Sequence, residues 1–482
     1  MYHLSEGLRS QIGLDDPNWV QFLKKWLLVS LGLHLIAGLM STGFYDVDEH
    51  FQIIEFVSYK LGQSPASALP HEFLENCRSW LQPTLYEVIA RTWRAIGIVS
   101  PAYWAASFRI FSALLGWLGL VGMALCAYRW FPKKKYRELS VKLGALLYFL
   151  PYLHARTSSE NLGGTFFVLA VTALVLLIKR KPTAVNSTEK SPLNVTSITN
   201  LAAGTAGFLL GLSFLSRFQM GFMIFGLGIW CLLIARIQFK SLLLIFLGIA
   251  ASVGLGIILD WRGTGAWTIS PYNYFFSFQK AAASPNVTVS PWWGYFQFLA
   301  GDVPLLGNLI AAGVIAGWVA QPKNPFTVAA LPFVLIHMAI PHKEPRYLFP
   351  LISIVPTFVT FGIELMERAL LGGKELKTIG PLRWARNLAI FLNAGGLLVA
   401  TLKPAAIQPL LHSYIFDHQQ EIPKLHFIES NPFELNGLPL NFYRPPNLEL
   451  IQTSYSKLAE KIKTEKQPQW LFYPQLQLPP EA

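Results

Sequence analysis

The sequence predicts an all-α membrane protein whose chain crosses the bilayer about eleven times. Hydrophobic residues make up 52% of the 482 residues and charged residues only 14%, against about 25% charged residues in an ordinary soluble domain. Mean hydropathy is +0.39. This composition excludes a disordered chain, which needs few apolar groups, and it argues against a large soluble globule, whose surface needs more polar residues.

Apolar stretches near the roughly 20 residues that a helix needs to cross a bilayer recur from residue 25 to residue 402. They are residues 25–43, 108–130, 139–154, 161–178, 199–216, 219–235, 241–259, 305–320, 325–341, 347–366 and 387–402. We therefore predict one transmembrane domain over residues 25–402.

The positive charges indicate the orientation of these helices. The net charge is +12, and the cations cluster in alternate loops, at 24–25, 129–137, 179–181, 236–240, 323 and 368–386. The positive-inside rule assigns these loops to the cytoplasm, together with the N-terminal residues 1–24. The opposite, extracytoplasmic side then receives a long first loop, 44–107, an aromatic loop, 260–304, and a small C-terminal region, 403–482. A membrane orientation accounts for the positive charge, so no nucleic-acid partner is expected.

Cysteine use does not indicate a metal site or a disulfide framework. The three cysteines, Cys77, Cys126 and Cys231, are far apart and have no metal-ligand spacing.

Three carboxylates follow the first span directly. Asp46, Asp48 and Glu49 lie within four residues, and their mutual repulsion raises the pKa of at least one of them if the site is dehydrated. A solvated start of a helix is the alternative, because acids are favourable at the positive end of the helix dipole.

Further ionisable residues fall on the same predicted side. Glu72 and Arg78 lie in the first loop, Arg156 and Glu160 flank a short turn, and Arg217 separates two apolar spans. Each cation taken alone is also typical of an interfacial side chain that extends to lipid headgroups.

The segment from 342 to 347 is harder to explain without a function. His342, Lys343, Glu344 and Arg346 place four ionisable groups in five residues between apolar runs. Such groups are costly at membrane depth unless they pair or face a polar cavity. Here a functional site is favoured.

The 260–304 loop combines polar and aromatic side chains. An interfacial aromatic belt is one interpretation, and a platform for sugar rings or a lipid headgroup is the other. The candidate residues are Asp260, Tyr272, Asn273, Trp292, Trp293 and Tyr295.

Acids, cations and aromatics on one face of a membrane bundle suit glycosyl transfer from a lipid-phosphate sugar. A carboxylate can take the proton of an acceptor hydroxyl, and cations can stabilise the departing phosphate. The apolar bundle offers a groove for an isoprenoid tail, and binding both lipids at one interface contributes proximity.

The 342–347 segment, His-Lys-Glu-Pro-Arg-Tyr, closely resembles the HKExRF motif of glycosyltransferase family 22. Residues 48–52, 72–83, 156–160 and 260–295 resemble other elements of that family in the same order. The last stretch is most similar to the members that add the third mannose to glycosylphosphatidylinositol, and a bacterial relative acting on another lipid-linked glycan is an alternative.

The resemblance implies a GT-C fold and a metal-independent, inverting α-mannosyltransferase without a cofactor. It implies transfer of mannose from a polyprenyl (dolichyl) phosphate to a hydroxyl of a lipid-linked glycan, on the extracytoplasmic face. That face is the endoplasmic reticulum lumen in a eukaryote and the periplasmic side of the inner membrane in a bacterium.

The resemblance also suggests roles for the residues. Asp48 is the preferred base, with Glu49 and Asp46 as alternatives. The remaining assignments are His342, Lys343, Arg346, Arg78, Arg156 and Arg217 to the donor phosphate, and Glu72, Glu160, Glu344, Asp260, Tyr272, Asn273, Trp292, Trp293 and Tyr295 to substrate binding. Glu344 can alternatively hold Arg346 in place. The competing hypotheses are a flippase for lipid-linked sugars, a GT-C transferase that uses a different sugar, and a lipid-to-protein glycan transferase.

Overall fold

A computed structural model of the chain describes residues 6–179, 197–282, 289–302, 304–421, 423–454 and 470–472. Parts of the predicted terminal regions, residues 1–5, 455–469 and 473–482, lie outside the described residues. Most of what is described is helical.

The α-helices run from one end of the described chain almost to the other. They are α1 (Glu6–Gln11), α2 (Pro17–Met40), α3 (Val47–Glu49), α4 (Glu55–Lys60), α5 (His71–Leu74), α6 (Leu81–Ala95), α7 (Pro101–Trp130), α8 (Lys134–Leu146), α9 (Phe149–His154), α10 (Ser159–Leu177), α11 (Asn200–Ser216), α12 (Met220–Ile229), α13 (Phe239–Thr264), α14 (Ser270–Ala282), α15 (Gly294–Asp302), α16 (Pro304–Ala320), α17 (Pro325–Ala339), α18 (Val355–Ala369), α19 (Gly380–Leu402) and α20 (Gln408–Asp417).

Shorter elements connect and cap these helices. Two π-helical segments cover His50–Ile54 and Trp230–Ile234, and 3₁₀ segments cover Ala66–Ala68, Pro345–Ile354, Leu376–Thr378 and Asn441–Tyr443. The strands are β1 (Ile178–Lys179), β2 (Ser197–Ile198), β3 (Lys424–Phe427), β4 (Glu434–Leu435), β5 (Leu438–Pro439), β6 (Glu449–Gln452) and β7 (Trp470–Phe472).

Every apolar stretch predicted to span the membrane is helical in the structure. Six helices in the described part are long and apolar enough to cross a bilayer, and four further apolar helices are shorter. The stretch 139–154 is divided between α8 and α9. The mostly helical architecture is thus confirmed, while the count of eleven crossings stays a prediction.

Local signals decide where the first helix begins. Helix α2 starts at Pro17, eight residues before the apolar stretch that predicted it, because the Asp16 carboxylate accepts hydrogen bonds from the backbone N–H groups of Asn18 and Trp19. Lys24 and Lys25 therefore lie inside a helix rather than before it.

Helix α10 lies at the centre of the bundle. Buried residues make up 78% of its most apolar window, against 17% for α13 and 6% for α19. Phe167, Val171 and Leu174 on α10 belong to the largest hydrophobic core. The apolar residues that α13 and α19 leave exposed are typical of helices that face lipid. Helices α11 and α13 pack at very short range, since a Cβ at Gly207 would lie 2.0 Å from the Ile245 carbonyl oxygen.

The predicted first loop is itself folded, from α3 to α6. Val57 of α4, Tyr86 of α6 and Phe108 of α7 share a hydrophobic cluster with Phe442 from the C-terminal region. That region is a small unit in which α20 packs on a three-stranded parallel sheet of order β6-β3-β7. The sequence did not reveal this sheet, because strands of three or four residues carry too few side chains to show alternation.

Candidate active site

Arg346 stands at the centre of a cluster of carboxylates. Its Nη1 lies 3.0 Å from Asp46 Oδ1, and its Nη2 donates to Asp48 Oδ2 at 2.5 Å. Its Nε donates to Glu344. The fold therefore joins the first-loop acids to the 342–347 segment, which lies about 300 residues later in the chain.

The local backbone explains why the two aspartates face the same cation. Asp46 is the N-cap of α3, and its carboxylate accepts a hydrogen bond from the Asp48 N–H at 3.0 Å. This turn brings Asp46 and Asp48 to one side. The π-helical segment that follows is a geometry often found at functional sites.

A second ion pair lies next to the first. Glu160, in the first turn of α10, has its Oε1 at 3.3 Å from Arg217 Nη2 and at 4.0 Å from Arg346 Nε. Glu160, Arg217 and Arg346 are all buried. Loss of one partner would leave an uncompensated buried charge, so we expect substitution of any one of these three residues to destabilise the protein.

Glu344 holds the 342–347 segment together. Its Oε1 accepts hydrogen bonds from the Tyr347 hydroxyl at 2.9 Å and from His342 Nε2 at 2.8 Å when that nitrogen carries a proton. Burial would raise the pKa of Glu344, but the hydrogen bonds and charge of Arg346, with those from His342 and Tyr347, lower it to about 2. Lys343 makes different contacts: its Nζ donates to the carbonyl oxygens of Ile340 at 2.5 Å and of Ser290 at 3.4 Å.

Glu49 is the most deeply buried of the three first-loop acids. It is 2% exposed, and neither of its carboxylate oxygens has a side-chain hydrogen-bond partner in the described part of the chain. Burial raises its pKa to about 7; Glu160 and Asp46 add to the rise, and Arg156 opposes it. Glu49 therefore differs from Asp46 and Asp48, which both pair with Arg346.

Arg156 fixes the turn that leads into the first-loop acids. It is fully buried, and its guanidinium donates to the carbonyl oxygens of Ser41 at 2.5 Å and Gly43 at 3.1 Å. These carbonyls follow the end of α2. A contact between Arg156 and the donor phosphate stays a prediction.

Glu72 and Arg78 form a separate pair. Glu72 Oε1 lies 3.5 Å from Arg78 Nη2 and accepts a hydrogen bond from Gln52 Nε2 at 2.8 Å. The Arg78 guanidinium lies over the Tyr274 ring of α14. Within the described residues, this pair makes no ion pair with the Arg346 cluster.

Asp260 joins three elements near the end of α13. Its carboxylate accepts hydrogen bonds from the Trp80 backbone N–H at 2.8 Å and the Ser270 hydroxyl at 2.6 Å. Asp260 is buried, so in this structure both oxygens serve the joint between α6, α13 and α14.

The remaining predicted residues of this loop differ in exposure. Tyr272, Trp292 and Trp293 are exposed, whereas Tyr295 is buried with its hydroxyl unpaired in the described structure. Asn273 donates to a backbone carbonyl in the first loop. The exposed rings remain compatible with both a lipid interface and a sugar platform.

Sequence reasoning missed two buried polar networks. In one, His34 Nε2 lies 2.9 Å from His154 Nδ1, and His154 Nε2 lies 2.9 Å from the Ser353 hydroxyl. A histidine in the middle of an apolar run, as at position 34, was the signal that could have revealed it. In the other, His50 and Glu55 meet at 2.8 Å in the first loop.

No group of three or more histidine, cysteine, aspartate or glutamate residues in the described ranges is arranged to hold a metal ion. The carboxylates of the cluster are instead paired with guanidinium groups.

Comparison with family models identifies the family, and comparison with solved structures shows a similar fold. The family model of the Alg9-like mannosyltransferase family matches residues 25–428. The crystal structure of ArnT from Cupriavidus metallidurans bound to undecaprenyl phosphate is 12% identical, with a TM-score of 0.52 over 94% of this chain and 90% of that chain. The apo structure of the same protein is 14% identical, with a TM-score of 0.46 over 94% of this chain and 88% of that chain. No curated protein sequence matches significantly.

Proposed function

The chain belongs to the Alg9-like mannosyltransferase family and is a membrane glycosyltransferase of the GT-C fold, and on this basis we propose that it transfers mannose from a polyprenyl phosphate to a hydroxyl of a lipid-linked glycan. The observation that carries this proposal is the contact of Arg346 with both Asp46 and Asp48. It places candidate proton acceptors beside a cation suited to a phosphate.

The proposed reaction is a single displacement with inversion at the anomeric carbon. The acceptor hydroxyl oxygen forms a bond to that carbon while the bond from carbon to the phosphate oxygen breaks. The hydroxyl proton passes to a first-loop carboxylate, and the polyprenyl phosphate leaves with the bonding electron pair. Arginine can stabilise the negative charge that develops on the leaving phosphate.

Access favours Asp48 and Asp46 over Glu49 as the base. The side chains of Asp48 and Asp46 are 29% and 28% exposed, so an acceptor hydroxyl can reach them, whereas Glu49 is enclosed. Glu344 is committed to Arg346, His342 and Tyr347. Among the accessible acids we prefer Asp48, which is also the base that the family resemblance suggests.

The occupied state of Arg346 suggests an order of events. Each guanidinium nitrogen of Arg346 has a carboxylate neighbour, namely Asp46, Asp48 or Glu344. A donor phosphate that takes the place of Asp48 at Nη2 would displace that carboxylate from the guanidinium. A displaced Asp48 carboxylate no longer contacts Arg346 and can accept a hydrogen bond from the acceptor hydroxyl, so donor binding would free the residue that deprotonates the acceptor.

We place this reaction on the extracytoplasmic side. The cluster forms where α2 and α11 end and where α10 and the Pro345–Ile354 segment begin, so these ends meet at one face of the bundle. The opposite face carries a different cluster, in which Lys135 contacts Glu367 at 2.7 Å. The cation-rich stretches 129–137 and 368–386, which contain Lys135 and directly follow Glu367, lie at that opposite face, and the positive-inside rule assigns it to the cytoplasm.

A donor screen tests the proposal. Purified protein in lipid nanodiscs is given polyprenyl phosphates that carry mannose, glucose or another sugar, with a mixed lipid-glycan extract, and the lipid products are identified by mass spectrometry. We expect transfer of mannose and a gain of one hexose on an acceptor lipid. Transfer of another sugar would correct the donor, and movement of the donor across proteoliposomes without bond formation would support a flippase instead.

Three substitutions then test the base. We expect Asp48→Asn to abolish transfer, with a smaller loss in Asp46→Asn and Glu49→Gln. Asp417→Asn, at an exposed aspartate that ends α20, is the matched control and should keep full activity. Wild-type rates in all three first-loop variants would remove these residues from proton transfer.

A further inference from the structure

A short segment of the C-terminal region is inserted behind the first-loop acids. The backbone N–H of Phe442 donates to Glu55 Oε1 at 2.9 Å, and the same oxygen lies 2.8 Å from His50 Nε2. His50 and Glu55 are both buried. Since His50 directly follows Glu49, the C-terminal region thus contacts the neighbour of a candidate catalytic residue.

Side-chain packing reinforces this contact. The Tyr443 ring stacks on His50 at 5.8 Å between centroids, and the Phe442 ring packs against Trp104 and Phe108 of α7 at 6.1 Å each. At the edge of the segment, Asn441 Nδ2 donates to the Ser64 hydroxyl at 2.9 Å. Phe442 and Tyr443 are buried.

The segment also forms one wall of a small cavity that Glu49 lines. The cavity is bounded by Glu49, His50, Arg109, Thr157 and Tyr443, among others. The carboxylate of Glu49 has no side-chain hydrogen-bond partner in the described chain, so its position depends on the Tyr45 backbone and on the walls around it. Tyr443 is the contribution of the C-terminal region to those walls.

Contacts within the C-terminal unit hold the Asn441–Tyr443 segment in place. His412 of α20 lies with its Nε2 2.7 Å from the Pro432 carbonyl oxygen and stacks on Phe433. The same His412 ring lies 5.8 Å from the Tyr443 ring. Helix α20 therefore supports Tyr443 from behind, while His50 contacts it from the front.

We propose that Asn441–Tyr443 is a positioning element of the active site, which holds His50 and Glu55 and through them orients the first-loop acids Asp46, Asp48 and Glu49. This inference rests on the proposed function. Its members do not contact the reacting atoms, so their loss should slow the chemical step more than it weakens donor binding. A misplacement of about 1 Å can cost roughly 100-fold in rate.

The first test compares Tyr443→Ala with Tyr443→Phe. The alanine removes the stacking on His50, whereas phenylalanine keeps the ring and removes only the hydroxyl. We expect kcat to fall by about 10- to 100-fold in Tyr443→Ala with KM for the donor within about twofold, and near wild-type values in Tyr443→Phe. The matched control is Tyr414→Ala, at an exposed tyrosine of α20, which should keep the wild-type kcat.

A cross-link distinguishes a fixed wall from a lid that must open. The side chains of Ser64 and Asn441 meet at 2.9 Å, so a Ser64→Cys and Asn441→Cys double variant brings two thiols near each other, and the fraction that oxidation joins in a disulfide bond is measured by thiol titration. The native cysteines are buried and unpaired in the structure, which limits competing disulfides. We expect the oxidised variant to remain active. Loss of activity on oxidation that is restored by a reductant would overturn the proposal in favour of a mobile lid.

Hydrogen exchange gives a readout that does not depend on catalysis. We expect the backbone of residues 46–55 to exchange faster in Tyr443→Ala than in the wild type, with no change in Tyr414→Ala. If the wild type shows no transfer at all, the proposed function fails, and exchange in 46–55 still decides whether the segment orders the loop. If the wild type is active and Tyr443→Ala keeps both its kcat and its exchange pattern, the positioning role is refuted.

Discussion

Replacement of Glu49 by glutamine should stabilise the protein at neutral pH. Glu49 is 2% exposed, so its charge is poorly solvated. Burial is the main cause that raises its pKa from 4.5 to about 7, with further contributions from Glu160 and Asp46 and an opposing one from Arg156. Glutamine keeps the shape of the side chain and carries no charge at any pH.

The magnitude follows from the two pKa values of Glu49. A rise from 4.5 to about 7 corresponds to about 3 kcal/mol, because a change of one in pKa is worth 1.36 kcal/mol. Below pH 4.5 Glu49 is protonated in both the folded and the unfolded chain, and its charge has no effect. Between pH 4.5 and about 7 the unfolded chain has released the proton while the folded chain still holds it, so the free energy of unfolding falls as pH rises. Above about pH 7 the free energy of unfolding is lower by the full amount, about 3 kcal/mol.

The assay is thermal unfolding of wild type and Glu49→Gln in one detergent at pH 5, 6, 7 and 8. With about 2.1 cal/mol/K of unfolding entropy per residue, 482 residues give about 1 kcal/mol per degree, so we expect the Tm gain to approach about 3 °C above pH 7 and to be smaller at pH 5. Glu434→Gln, at an exposed glutamate, is the control and should show no pH-dependent difference. An equal gain at pH 5 and pH 8, or a loss at pH 8, would refute the reasoning.

Three further predictions concern other residues. Arg346→Lys should lower kcat/KM by about 100-fold or more, because an ammonium group cannot bridge two carboxylates as a guanidinium does. The control Arg386→Lys, at an exposed arginine, should keep the wild-type kcat/KM, and equal transfer rates for the two variants would contradict this prediction. Asp260→Ala should lower Tm by roughly 1–3 °C, because loss of the carboxylate leaves the buried backbone N–H of Trp80 unpaired at a cost of about 1–3 kcal/mol. An unchanged Tm would show that the contact between α6, α13 and α14 does not need this carboxylate. Gly207→Ala should lower Tm because it disturbs the packing of α11 on α13, whereas Gly204→Ala, where a Cβ meets nothing within 4 Å, should leave Tm unchanged or raise it slightly. Similar Tm values for both variants would contradict the close approach of these two helices.

The parts of the fold that depend on local sequence were accessible from the sequence. Apolar stretches predicted the helices because a membrane-spanning helix must satisfy its own backbone and present apolar side chains to lipid. The 342–347 segment and the first-loop acids were also recognisable, because charged groups between apolar runs need a reason to be there. The suggestion that Glu344 holds Arg346 agrees with the ion pair that the structure contains.

The contacts that assemble the site were not accessible in the same way. Glu160 pairs with Arg217, and Phe442 with Glu55, only because helices from distant parts of the chain pack together. No periodicity within one segment reports such a contact. The same holds for His34 and His154, which are 120 residues apart and meet inside the bundle.

Two adjacent glycines on α10 connect this packing to the charge cluster. A Cβ at Gly164 would lie 2.5 Å from Pro350 Cα, and Gly163 accepts a hydrogen bond on its carbonyl oxygen from the Ser213 hydroxyl of α11 at 2.7 Å. Glu160 lies about one helical turn before these glycines, so Gly164 sets its distance from Arg346 and Gly163 sets its distance from Arg217. A side chain at position 164 would push the Pro345–Ile354 segment away from α10 and draw Arg346 from Glu160. The geometry of the charged site is therefore fixed by close backbone packing below it.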